Sequence, residues 1–240
     1  MNDEKNAVKM RVHDRILTTS YRDDFRSHEI LYDEFFRFEK GKSYGILCEA
    51  AEGGGGISWL LSGRDEVKGE DAIVFGKKYC DGERIEEGWF VSEGIPGVNE
   101  PVYKEIKIAL KQSGANFSME DIVHEFGLSE DRLGYKIGNY SWEAWRASVA
   151  IGYAMGKQIF CFPWLYSSRL VDLVLNTAYF FYVDKLKENG SIVILPSGNR
   201  EILEDITDEI VELNNPRFKD LSRFNEYIDD YKEKRLWFQK

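Results

Sequence analysis

Four consecutive glycines, Gly53 to Gly56, constrain this chain more than any other stretch. Upstream lies Ser43 to Cys48 (SYGILC), short and apolar, the pattern of a buried strand. Downstream, Ile57, Leu60 and Leu61 fall at helical spacing, and Ser62-Gly63 closes the pattern. Taken alone, such a run reads as a flexible loop. Between a strand and a helix it predicts a junction where backbone N–H groups converge and the helix dipole favours negative charge. The phosphate-loop pattern GxxxxGK[ST] is not met: Gly54 follows Gly53 where lysine is needed. No lysine or arginine occurs anywhere from Tyr44 to Ser62.

The rest of the chain reads as α/β. Val8 to Leu17 and a piece ending Phe35-Phe36-Arg37-Phe38 alternate as strands do, and Asp71 to Tyr79 and Gly88 to Ser92 are further short strands. Helices are expected over Val102 to Gln112, Ser118 to Phe126, Ser141 to Met155, Ser168 to Asn189 and Glu201 to Ile206. Ser118 with Asp121 three residues on is a capping-box variant, which leaves Glu120, Asp121 and Glu125 as a solvated face with a capping acid. Gln158 to Phe162, Ser191 to Leu195 and Glu209 to Leu213 read as strands. Strands alternating with helices in the second half imply a parallel sheet with crossovers. Leu221, Phe224, Ile228 and Tyr231 give the tail a helical spacing, with Trp237 and Phe238 beyond it.

Composition narrows the functions. A formal net charge of -10 argues against general affinity for nucleic acid or anionic lipid, because both need a positive field. Cys48, Cys80 and Cys161 have no CxxC spacing, and an odd number closes no disulfide framework, so reduced thiols in a cytosolic protein are expected. His13, His28 and His124 lack metal-binding spacing. The charged N-terminus does not read as a signal peptide, and no apolar run reaches the roughly 20 residues that span a bilayer. Any link to a membrane therefore passes through a partner.

With these segments in order, the chain resembles the ATP-binding-cassette (ABC) ATPases. Phe36 to Gly63 (FRFEKGKSYGILCEAAEGGGGISWLLSG) follows the family's strand, phosphate loop, helix and "LSG" register without a gap. In that register Cys48 stands for the first loop glycine, Gly53 keeps the last, Gly54 replaces the phosphate lysine, and Gly55 and Gly56 replace the magnesium-reaching Ser/Thr pair. Gly88 to Glu93 (GWFVSE) resembles the strand into the Q-loop, with Glu93 at the glutamine. Tyr140 to Ala144 (YSWEA) stands for LSGGQ and matches it only at Ser141, and Val149 to Ala154 resembles the family's VAIARAL helix. Ile159 to Leu165 (IFCFPWL) takes the place of the Walker B strand, with Pro163 for the magnesium aspartate and Trp164 for the catalytic glutamate. Lys187 to Leu195 resembles the strand before the switch histidine, which Ser197 replaces.

The resemblance implies an α/β, P-loop NTPase-like fold with a mixed-sheet core, an N-terminal antiparallel part and an inserted helical subdomain. It implies one domain: an α/β core over 1–92 and 156–215, a helical subdomain over 93–155, and a C-terminal helix over 216–240. It also implies a chemistry that these residues do not supply. Phosphoryl transfer depends on positioning and charge stabilisation. The expectation is a pseudo-ATPase with no catalytic residue, no metal site, and weak or absent binding of ATP and magnesium. Glu49, Glu52 and Glu93 would add negative charge beside the phosphate pocket. Trp142 and Trp145 either pack at a helix start or fill the vacated cleft.

The implied role is a structural or regulatory subunit of an ABC transporter. Its partners would be a permease, a second cassette subunit, or a copy of itself. It would be cytoplasmic, peripheral at the inner face of the membrane through the permease, with Ile95, Val98 and Tyr103 as apolar docking candidates. The alternatives are a soluble binding module using the vacated cleft and a divergent active ATPase.

Overall fold

The computed structural model describes residues 4–21, 25–69, 71–139 and 143–213. The chain opens with β1 (Ala7–Val12), β2 (Arg15–Tyr21), β3 (Phe25–Leu31) and β4 (Glu34–Glu39). The single strand expected over Val8 to Leu17 is two strands. The chain turns after Val12, where Asp14 Oδ1 accepts the Asp33 N–H at 2.6 Å and Arg11 holds Asp33 through two hydrogen bonds. β2 and β3 pair antiparallel, from Arg15 opposite Leu31 to Tyr21 opposite Phe25. β1 pairs antiparallel with β4 and with β6 (Asp71–Val74), and β6 continues to β7 (Lys77–Tyr79), giving the order β4-β1-β6-β7.

The second sheet is parallel throughout. Its order is β11 (Glu209–Glu212), β5 (Ser43–Leu47), β10 (Ile192–Ser197), β9 (Ile159–Cys161) and β8 (Gly88–Phe90). Antiparallel pairing is confined to the other two sheets. Strand alternation divides the core in two. Ile192, Ile194, Ile159 and Cys161 face the antiparallel layer and α1 (Gly54–Leu61). Val193, Leu195, Phe160 and Phe162 face the other helices. The strands are apolar on both faces because both faces are covered.

Between β8 and β9 the chain is helical: α2 (Val102–Ser113), α3 (Met119–Glu125) and α4 (Ala144–Ala154). The expected capping box is present, with Ser118 Oγ accepting the Asp121 N–H and Asp121 accepting the Ser118 N–H. α4 begins at Ala144, and Ser141 and Trp142, expected in its first turn, lie outside the described residues. So does the tail whose helical spacing was noted over 219–234.

The long helix expected over Ser168 to Asn189 is two helices, α5 (Ser167–Asn176) and α6 (Tyr179–Glu188). Thr177 Oγ1 donates to Leu173 O and ends the first, and Ala178, at φ 58°, turns the chain through the left-handed region. The break points Tyr179 and Tyr182 into the core, where both are buried. α7 (Arg200–Ile206) follows β10, capped by Asn199 Oδ1 accepting the Ile202 N–H. Among the described residues no helix is long and apolar enough to cross a membrane.

Candidate functional site

The glycine run lies where β5 hands over to α1, at the carboxyl edge of the parallel sheet. Gly53 is the helix N-cap at φ 101°, a left-handed conformation that glycine adopts without penalty. Gly54, Gly55 and Gly56 belong to the first turn of α1 rather than to a loop. The helix ladder starts with the Ile57 N–H donating to Gly53 O at 2.8 Å. The preceding N–H groups therefore point out of the helix end with no intrahelical acceptor, the arrangement that binds anions.

The anion already present is a side chain of the protein. Glu29, on β3, is 2 % exposed, and its Oε2 accepts the Gly53 N–H at 3.1 Å. The Gly56 and Gly55 N–H groups also favour its ionised form, and Ser27 Oγ donates to its Oε1 at 3.1 Å. Burial nevertheless pushes the Glu29 carboxyl above the usual glutamate range, with these hydrogen bonds opposing the rise. The β2–β3 hairpin that carries Glu29 is tied to the loop by the Ile30 N–H donating to Ala51 O at 3.2 Å.

No reading of the sequence singled out Glu29. The signal was available: alternation along β3 puts Ser27, Glu29 and Leu31 on one face, and a glutamate sharing a face with a buried leucine needs donors.

Three other positions singled out by sequence meet around the cradle. The Cys48 N–H donates to Ser197 O at 3.1 Å, which ties the loop to the end of β10. Trp164 Nε1 donates to Cys48 O at 3.0 Å. Ser197, fully buried, donates through Oγ to Leu165 O at 2.7 Å. Pro163 is buried one residue before Trp164, just past β9. The Cys48 thiol is buried beside Gly54, and burial, reinforced by the Glu29 charge, pushes its pKa well up. This thiol is a packing group and not a nucleophile.

Glu93 follows β8 and is not left as an added charge in an open pocket. It forms an ion pair with Arg64 at 2.6 Å. Its backbone is fixed by Ser148 on α4, which donates to Glu93 O at 2.6 Å and accepts from Ser92 N–H and Trp89 Nε1, each at 3.1 Å. Next along, the Ile95 N–H donates to buried Glu105 at 2.6 Å. Ile95 is 7 % exposed and belongs to the core under the helices, so it offers little surface to a partner. Val98 and Tyr103 are half-buried against the same core. Trp145 stacks on Phe162 with ring centroids 5.8 Å apart, which settles it as a packing residue.

No protein-family model and no curated protein matches the chain. Solved structures do. The ATP-binding cassette MJ0796, in a dimeric post-hydrolysis state bound to ADP and Pi, superposes with a TM-score of 0.59 at 12% identity, covering 85% of this chain and 94% of that one. The cbiO1 protein of Clostridium perfringens, part of the ABC transporter complex cbiONQ, gives 0.55 at 15% identity over 85% and 83% of the two chains. MJ1267, an ATP-binding cassette of an ABC transporter in its ADP conformation, gives 0.57 at 13% identity over 87% of each. The chain, with its parallel sheet, antiparallel layer and intervening helices, is built on the fold of the ATP-binding cassettes.

Proposed function

We propose that this chain is a non-hydrolysing cassette subunit, a structural or regulatory part of an ABC transporter that pairs with another cassette domain, a membrane permease, or both. The observation that carries this reading is the filled cradle: Glu29 accepts the Gly53 N–H, with the Gly55 and Gly56 N–H groups also favouring its ionised form, and Gly54 sits where the family resemblance requires a phosphate lysine. A Cβ at position 54 would overlap the Cys48 sulfur and come within 2.9 Å of Pro196 Cβ. The residues present therefore do not fit a magnesium triphosphate. The aligned positions Gly55, Gly56, Pro163, Trp164 and Ser197 offer no strong metal ligand and no general base, and Trp164 is engaged with Cys48 O.

The division into an α/β core (1–92 and 156–215), a helical subdomain (93–155) and a C-terminal helix (216–240) belongs to the same proposal. So does a peripheral place at the cytoplasmic face of the membrane, reached through the permease. Val98 and Tyr103, partly buried against the core that holds Ile95, remain the apolar docking candidates. The cbiO1 neighbour is part of a transporter complex, which favours an assembly of this kind.

The test is recovery of a tagged chain from detergent-solubilised membranes of its own cells. Stoichiometric recovery with a permease or a second cassette subunit is the expected result. A free monomer confined to the soluble fraction would overturn the assignment.

A further inference from the structure

We propose that the β2–β3 hairpin is a tethered plug, with the Glu29 carboxylate as an intramolecular stand-in for phosphate that keeps phosphate-bearing ligands out of the glycine cradle. This rests on the non-hydrolysing reading and adds to it a cause of exclusion that is separate from the missing lysine.

A buried carboxylate is costly unless its oxygens are satisfied. Here each oxygen has a donor, Gly53 N–H on Oε2 and Ser27 Oγ on Oε1, and the α1 dipole adds a favourable field. Those are the interactions a bound phosphate would draw from the same helix end.

The glycines themselves argue for the plug. A Cβ at Gly53 would come within 2.9 Å of Ile30 O and 3.2 Å of Leu31 Cδ2. One at Gly56 would come within 3.1 Å of both Glu29 Cβ and Leu31 Cδ2. Two of the four glycines thus make room for the hairpin, and Gly54 makes room for Cys48. Three of the four glycines are thus explained by what the chain itself places against the cradle, without a nucleotide.

The charges around the plug fit this assignment. Glu52 is buried next to Gly53, Glu49 lies beside Gly198, and both push the Cys48 thiol pKa up as Glu29 does. The glycine N–H groups and the end of α1 are the feature here that favours an anion, and Glu29 is the anion held against it. An incoming polyanion would have to displace Glu29 from the glycine N–H groups.

The experiment compares wild type with Glu29→Ala, using inorganic pyrophosphate as the probe in calorimetric titration. The plug predicts no saturable binding to wild type and saturable binding to E29A at least about tenfold tighter than the wild-type detection limit, the worth of one charge-assisted hydrogen bond. Equal affinity in both proteins, or none in E29A, overturns the plug. A second variant covers failure of E29A to fold. In E29Q, selectively labelled glycine amides should move in the NMR spectrum at residues 53, 55 and 56 and stay fixed at exposed Gly82 and Gly114; unmoved amides at 53, 55 and 56 would overturn the assignment. ATP turnover by wild type in the same preparations would sink the non-hydrolysing reading on its own, whatever pyrophosphate does.

Discussion

At the scale of single residues, the site is defined by which atoms stand close to the glycines. A lysine placed at position 54 tests this directly. Gly54→Lys puts a Cβ into the Cys48 sulfur, so the variant should lose about 1–3 kcal/mol, the usual cost of overpacking. Thermal melting should show a lower Tm for G54K and partial recovery in the double variant with Cys48→Gly; a G54K protein as stable as wild type would remove the steric argument. Glu29 gives a pH signature. Its folded pKa lies above the ordinary glutamate value of 4.5, so the native state holds the proton more tightly than the unfolded chain does. The associated stabilisation is whole below about 4.5 and is lost as pH rises through the folded pKa. The unfolding free energy of wild type relative to E29Q should therefore fall as pH rises from 4 toward 8, measured by urea denaturation.

At the scale of elements, the parallel core was legible because buried strands carry their own signature. SYGILC, QIFCF and SIVIL became β5, β9 and β10, and the Ser118–Asp121 box capped α3 as its residues require. The hairpin was not legible. Phe25 to Leu31 mixes Arg26, Ser27, His28 and Glu29 with few apolar residues, and its meaning lies in α1, far along the chain. The α5–α6 break was hidden for another reason: Thr177 and Ala178 carry no glycine or proline to mark a stop. Ala178 holds φ 58°, a conformation that costs a non-glycine residue about 1–2 kcal/mol. Ala178→Gly should therefore stabilise the protein by about 0.5–1 kcal/mol after the entropy of the unfolded glycine is counted. A lower Tm for A178G would show that the turn is held by something other than tolerance of the left-handed region. The candidate site was legible as a place, a strand–glycine–helix junction, and illegible in content, because its occupant arrives through tertiary contact.

At the scale of the molecule, the helices between β8 and β9 share one apolar core with the parallel sheet, and a small polar joint is set into that contact. Ser148 binds Trp89, Ser92 and Glu93 from α4, while Glu93 reaches Arg64 beyond α1. Ser148→Ala leaves buried donors without their partner and should cost about 1–3 kcal/mol. Hydrogen exchange should rise first at Ser92 and at neighbouring amides, ahead of those in β10. The cassette fold thus keeps its sheet, its glycine-capped helix and its insertion while the cradle holds a carboxylate of the chain itself. The most direct test is calorimetric titration of wild type with ATP in the presence of magnesium. A cradle already held by Glu29 should give no saturable binding up to about 1 mM, the regime of roughly 4 kcal/mol or less. Magnesium-dependent binding with a Kd near 1 μM, about 8 kcal/mol, would contradict it.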